Sequence, residues 1–192
     1  MSSLRVDNIS SRTGTTITIP SGNSLYAPGH IIQVVNTYLT APFSQSITAG
    51  FGVYNDIPGL AATITPKNIN SKIYMTVRWF GEYSPQSSAW STIWGIKRNG
   101  SPIRTADQPG TLAVGIMNTF IGYYGNDADS TPESTFFDCY DTPASLSAVT
   151  YQVYLTGSAS PTLYTNRCVN STTSNADYER GTSSITLFEI AG

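Results

Sequence analysis

Hydrophobic and polar residues alternate along most of this chain with a period of two. In SKIYMTVRWF (71–80), Ile73, Met75, Val77 and Trp79 fall on one side, while Tyr74, Thr76, Arg78 and Phe80 fall on the other. That spacing predicts a strand with one buried face, and the β-branched and aromatic content agrees with it. SAVTYQVYLTG (147–157) repeats the pattern, with Val149, Tyr151, Val153 and Leu155 opposed to Thr150, Gln152 and Tyr154. HIIQVVN (30–36) and the closing SSITLFEIAG (183–192) predict further strands, and GLAATITP (59–66) and STFFDCY (134–140) predict shorter ones. Asn99-Gly100, set between WSTIWGIKR and SPIR, predicts a tight hairpin. No stretch holds helical spacing over three turns. TLAVGIMNTFIGYYG (111–125) comes nearest, but its three glycines and its β-branched residues predict strands there too. Many short strands at a spacing of about 8–12 residues predict an all-β fold, a jelly-roll-like antiparallel β-sandwich.

Residues 1–28 break this rhythm. LRVDNI and TTITIP are strand-like, but SSRTG separates them and SGNSLYAPG follows, and both of these are polar turn material. Two short strands cannot bury a core of their own in water. They therefore predict an N-terminal extended arm, packed on the sandwich or paired with other chains. The boundary falls near Pro28-Gly29, giving an arm over 1–28 and a single β-sandwich knob domain over 29–192.

Composition narrows the function classes. Of 192 residues only 11% are charged, against a usual quarter, and net charge is −2. Ser, Thr, Asn and Gly fill the difference, so neutral hydroxyls and amides solvate the surface. Arg and Lys are scattered, with Lys97-Arg98 the only adjacent pair, which argues against a nucleic-acid partner. MSSLRVDNISS lacks the regions of a secretory signal, and no segment approaches the ~20 apolar residues of a membrane helix. The expectation is a soluble product made in a cytoplasm, with no membrane insertion. Cys139 and Cys168 make neither a disulfide framework nor a metal site; they are two partly buried thiols or one bridge.

Candidate chemistry is sparse. His30 is the only histidine, stands at the start of a strand and has no nucleophile elbow for company, so a structural role is expected. One His and two distant Cys cannot supply a zinc site. Asp107, Asp127, Asp129, Glu133, Asp138, Asp141, Asp177 and Glu179 are the carboxylates that a glycosidase pair would draw on. Most sit in polar turns, where acids bond nearby amides.

NDADSTPESTFFD (126–138) spaces Asp127, Asp129 and Thr131 as an EF-hand would, with Asp138 at the closing position. Pro132 stands where the sharp turn requires Gly, Asp138 is a methylene short, and the flanks read as strands. A turn is expected, or else a looser cation site from Asp127, Asp129 and backbone carbonyls. No cofactor and no metal is expected.

Aromatic residues are the more informative group. Trp79 and Tyr151 alternate as core residues do. Tyr83, Tyr123, Tyr124 and Tyr140, read as loop residues, form a candidate recognition surface, since a tyrosine ring is apolar with a polar handle.

The order of HIIQVVN, GLAATITPKNINSKIYMTVRW, IKRNGSPI, DTPASLSAVTYQVYL and ADYERGTSSITLFEIAG resembles a β-rich module of bacteriophage virion proteins. That module closes tail fibres and related appendages, especially in phages of cyanobacteria and marine bacteria. The opening MSSLRVDNISSRTGTTITIP resembles the way many such proteins begin. The resemblance implies a homotrimeric, non-enzymatic knob on the virion surface, attached to other virion proteins through the arm and contacting a host-surface glycan or protein. It carries no active-site residues. Only 28 residues precede the module here, where a long fibre has an extended shaft, so a capsid decoration (cement) protein that stabilises the shell is the alternative. The two differ in a visible way. A host-binding module should expose aromatics in loops distal to residues 1–28, whereas a decoration knob should have a bland distal end.

Overall fold

The computed structural model describes residues 13–16, 18–20, 25, 27–107, 110–121, 129–171, 176 and 178–192. Among these lie ten strands: β1 Ile31–Leu39, β2 Phe43–Ser46, β3 Asn55–Ile64, β4 Lys72–Ser84, β5 Thr92–Arg98, β6 Ser101–Ile103, β7 Glu133–Asp141, β8 Val149–Gly157, β9 Thr162–Thr165 and β10 Ser183–Ile190. All pairings are antiparallel, and the strands divide into two sheets packed as an all-β sandwich.

The first sheet is organised by β4, whose 13 residues are enough to serve two neighbours on one edge. Lys72–Arg78 pairs with β10 and Gly81–Ser84 with β9, while β7 runs along the opposite edge. β1 lies outside β10, and β2 outside β9. The second sheet has the order β3-β8-β5-β6. β3 is an edge strand, which is where Pro58 can sit without breaking a ladder. Gly59 has φ +75°, and the register shifts there between Asp56 and Ala61 as a bulge.

The core forms where the alternation predicts it. Ile73, Met75, Val77 and Trp79 face Val149, Tyr151, Val153 and Leu155, and all eight are at most 2% exposed. Burying one such aliphatic side chain contributes about 1.5–3 kcal/mol before chain entropy is subtracted. The Trp79 ring packs against Trp94 at 4.9 Å and edge-on to Tyr83 at 5.5 Å. The expected hairpin joins β5 to β6, with Asn99 at φ 48° and Gly100 at φ 88°, the paired positive angles of a tight primed turn. Asn99 Oδ1 also accepts the Thr150 N–H at 2.9 Å, fixing the turn to β8.

Two expectations need correction. Residues 111–121 form no strand; they make only isolated bridges, Trp94 to Met117 and Phe120 to Ser134. The segment passes from the edge of β5 to the edge of β7, so it spans the gap between sheets and cannot run along either. The strand expected over TTITIP is also absent among its described residues, Thr15, Thr16, Thr18, Ile19 and Pro20, which are exposed and offer no paired edge. LRVDNI lies outside the described residues. The described β structure starts beside the chain's last residues: Gly29 donates to the Ala191 carbonyl at 2.9 Å, and Ala191 to that of His30 at 2.8 Å.

Candidate functional site

The outer face of the first sheet carries a cross-strand row in which Val34, Phe188, Tyr74 and Tyr140 are successive register partners. A parallel row runs Tyr38, Ser184, Arg78, Phe136. Val34, Tyr38, Phe136 and Tyr140 are 53–66% exposed, so apolar side chains stand open to solvent along both edges of this sheet face. Between the two rows the chemistry is polar: Asn36 Nδ2 donates to Thr186 Oγ1, and the Tyr74 hydroxyl donates to Asp138 Oδ2 at 2.8 Å. That acceptor, with the nearby negative charge, pushes the Tyr74 hydroxyl above its ordinary pKa. At the β7 edge, Arg104 stacks over the Tyr140 ring at 4.5 Å and donates from Nε to the Tyr140 carbonyl at 2.6 Å.

A second feature lies at the far end of the sandwich, where β4, β8 and β3 finish or begin opposite the start of β1. The 3-10 turn Gln86–Ser91 follows β4 there and leaves Trp90 exposed. Phe51, between Gly50 and Gly52, and Leu112 are likewise 60% and 59% exposed. A groove of about 380 Å³ runs between Trp90 and the 111–113 segment and continues past Ser158 towards Phe51. Backbone bonds frame it. Ser158 donates to the Ser91 carbonyl at 3.0 Å, Gly50 to that of Gly157 at 3.0 Å, and Ile116 to that of Trp94 at 2.7 Å. A Cβ at Gly157 would stand 2.1 Å from the Ser91 oxygen, so glycine is what lets β8 close against the turn.

Of the residues predicted for recognition, Tyr140 is exposed on the outer sheet face rather than in a loop. Tyr123 and Tyr124 lie outside the described residues. Tyr83 is a correction: it is fully buried, on β4, and cannot touch an external ligand. It shares the inward parity of residues 73, 75, 77 and 79, and only Gly81 made the strand look finished at Phe80. A Cβ at Gly81 would meet the Tyr164 carbonyl oxygen at 2.0 Å and the Trp79 ring at 2.5 Å, so the glycine belongs to the strand as a close-approach position. Burial drives the Tyr83 hydroxyl strongly upward in pKa.

The carboxylates have separate tasks. Buried Asp141 accepts from Arg98 NH1 at 2.9 and 3.1 Å and from the Tyr151 hydroxyl at 2.9 Å. Buried Glu133 accepts the Tyr83 N–H at 3.1 Å. These two acids stand at opposite ends of β7, about 27 Å apart at strand rise. Asp138 lies mid-strand against Tyr74, not at the close of a loop; Asp107, Asp129 and Glu179 are exposed, and Asp127 and Asp177 lie outside the described residues. Two further buried acids differ in their sequence signal: Glu189 shares the inward parity of Ile185 and Leu187, while Glu82 has the outward parity of Phe80. Glu82 accepts the N–H groups of Thr131 and Val169, and Glu189 accepts those of Lys67 and Asn68 together with Gln33 Nε2. Each one ties a loop to a strand.

Cys139 and Cys168 are both free thiols. His30 is exposed, with its carbonyl in the ladder to Ala191. Among the described residues no group of three or more His, Cys, Asp or Glu side chains could hold a metal ion. Among those residues, too, no helix is long and apolar enough to cross a membrane. Trp90, Phe51 and Leu112 were not singled out as surface residues by the sequence. The available signal was context: a Trp inside SPQSSAWS and a Phe between two glycines have no strand register to bury them. No known protein family matches the chain, and no curated protein matches it.

Proposed function

We propose that the chain is a non-enzymatic bacteriophage virion protein, a trimeric module of the tail-fibre or appendage type whose far end contacts the host surface. Residues 1–28 attach it to other virion proteins, and the apolar outer sheet face packs against further copies of the chain. The order of strand segments supports the phage reading by resemblance. The observation that carries the choice between host contact and shell decoration is the far end itself. Trp90, Phe51 and Leu112 are exposed there, opposite the end at which β1 begins. A knob that only cements a shell has no use for uncovered aromatic surface at its outward end, where it invites non-specific association. Among the described residues, Asp141 is held in an ion pair and Glu82, Glu133 and Glu189 cap backbone N–H groups, and these structural tasks support a binding role over hydrolysis.

Gold-labelled antibody against the chain, imaged on intact particles, tests the reading. Label at the tail or its appendages is the expected result. Label spread over the capsid faces would transfer the protein to the decoration class, and particles free of label would sink the virion assignment altogether.

A further inference from the structure

We propose that the far-end groove is a binding site for a neutral saccharide, with Trp90 as the stacking platform and Asn118 and the surrounding hydroxyls as the polar contacts. The inference deepens the host-contact reading and rests on it only for where the sugar comes from. At about 380 Å³, with a further ~90 Å³ recess beside Gly50 and Phe51, the groove lies in the range of small-ligand sites. Its chemistry is mixed in a particular way. Trp90 and Leu112 give it apolar surface, and Ser91, Thr111, Asn118 and Ser158 give it neutral donors and acceptors. Among the described residues, no charged side chain lines either part.

That combination selects the ligand. A charged group placed here would lose hydration with no counter-charge among the described residues to replace it. A purely apolar ligand would cover the hydroxyls and the amide without bonding them, at a cost for each group left unpaired. A pyranose ring answers both demands, since its C–H face lies flat on an indole while its equatorial hydroxyls both donate and accept. The frame is also built before any ligand arrives. Thr92 Oγ1 donates to the Ala89 carbonyl at 3.1 Å beneath Trp90. Thr119, next to Asn118, is locked to Trp94 and Tyr83. Gly115 sits where a Cβ would meet the Trp94 oxygen at 2.4 Å, so the 111–118 wall is pressed against β5. A groove wall held this way loses little freedom on binding.

The test uses the full chain and a set of neutral trisaccharides of glucose, galactose, mannose and N-acetylglucosamine, with a galacturonate trisaccharide as the acidic control. Saturation-transfer NMR and tryptophan fluorescence report binding at millimolar sugar. At least one neutral trisaccharide should bind and the acidic one should not. Trp90→Ala should weaken binding at least about tenfold, and Asn118→Ala severalfold. Leu146→Ser, exposed in the β7–β8 loop at the opposite end, should leave binding unchanged. Both groove variants alter surface positions, and their unchanged melting temperatures would confirm that they fold. The proposal is overturned if no neutral trisaccharide binds, if the acidic one is preferred, or if Trp90→Ala binds as well as the parent. Location on the virion is read separately by gold labelling. A protein found on the tail that binds no sugar would therefore end this inference and leave the host-contact reading standing.

Discussion

Trp94 Nε1 donates to Thr119 Oγ1 across 2.7 Å, in surroundings that leave the indole fully buried. The same Thr119 oxygen meets the Tyr83 hydroxyl at 2.9 Å and accepts from Thr135 Oγ1 at 3.1 Å. One threonine on an irregular segment thus joins β4, β5 and β7 and closes a side of the sandwich that none of the described strands covers. Thr119→Val keeps the shape and deletes the hydroxyl, so buried partners lose their bonds. Leaving such groups unmet costs ~1–3 kcal/mol each, with incomplete additivity. We expect a loss of about 3 kcal/mol in urea unfolding, with Thr119→Ser recovering most of it. A Val variant within about 0.5 kcal/mol of the parent would show that the segment is held by its backbone bridges alone.

Gly95 and Tyr154 are register partners on the outer face of the second sheet, where a large residue would normally be exposed. Tyr154 is nonetheless fully buried, because its ring lies across the glycine and packs edge-on to Tyr54 at 4.9 Å. A Cβ at residue 95 would stand 2.3 Å from both the Tyr154 Cζ and its hydroxyl oxygen. Gly95→Ala should therefore destabilise by about 1–3 kcal/mol, the usual cost of overpacking. Tyr154→Leu should relieve the clash, so that the double variant is more stable than the sum of the two single changes. Additive losses would mean that the strain lies in the backbone and not in this contact.

How far the sequence could be read is shown by parity along β4. Ile73, Met75, Val77 and Trp79 were legible as core because alternation is a local property, and the sandwich class followed from many such strands. Tyr83 was lost at Gly81, since a glycine in a strand and a glycine ending one look alike until the Tyr164 carbonyl is seen pressed against it. The 111–121 segment was lost for a different reason. Its composition suits a strand, but a strand needs an edge to pair with, and only the three-dimensional arrangement shows that it crosses from one sheet to the other. The far-end groove belongs to the same class. Trp90, Leu112 and Ser158 come from three separate connections, and no spacing in the chain brings them together.

Burial makes the thiols poor acids, and this sets an alkaline limit on stability. Desolvation, with the Glu82 charge next, pushes Cys168 up from 9.0 to about 11. Desolvation, with Asp138 and Asp141 next, pushes Cys139 up to about 12. The folded state therefore holds these protons more tightly than the unfolded chain does. The stabilisation is fully present below about pH 9 and is lost as pH rises through about 11 to 12. Melting temperature should fall over that window, and less steeply in Cys168→Ala. Iodoacetamide at about pH 8 should modify the native protein at least tenfold more slowly than the urea-unfolded chain, because the thiolate is the reactive form. Native thiols that react as fast as unfolded ones would place them in a more open setting than the structure gives them.

The outer sheet face yields the last prediction. Val34 on β1 and Phe136 on β7 stand at opposite edges of the sheet; the row Val34, Phe188, Tyr74, Tyr140 is apolar across all four strands, while Ser184 and Arg78 separate the exposed rings of Tyr38 and Phe136. A face of this kind is stable in water chiefly when another surface covers it, and under the proposed function that surface is a second copy of the chain. Sedimentation of the full chain should give a mass near three times 20.7 kDa. Lysine at both positions, as Val34→Lys with Phe136→Lys, would bury two unpaired charges in the assembly while leaving the monomer surface well solvated. That variant should sediment as a monomer and keep its β-sheet circular dichroism. A parent protein that stays monomeric at micromolar concentration would defeat the homotrimer. A double-lysine variant that remains trimeric would move the interface off this face and onto the arm before Gly29.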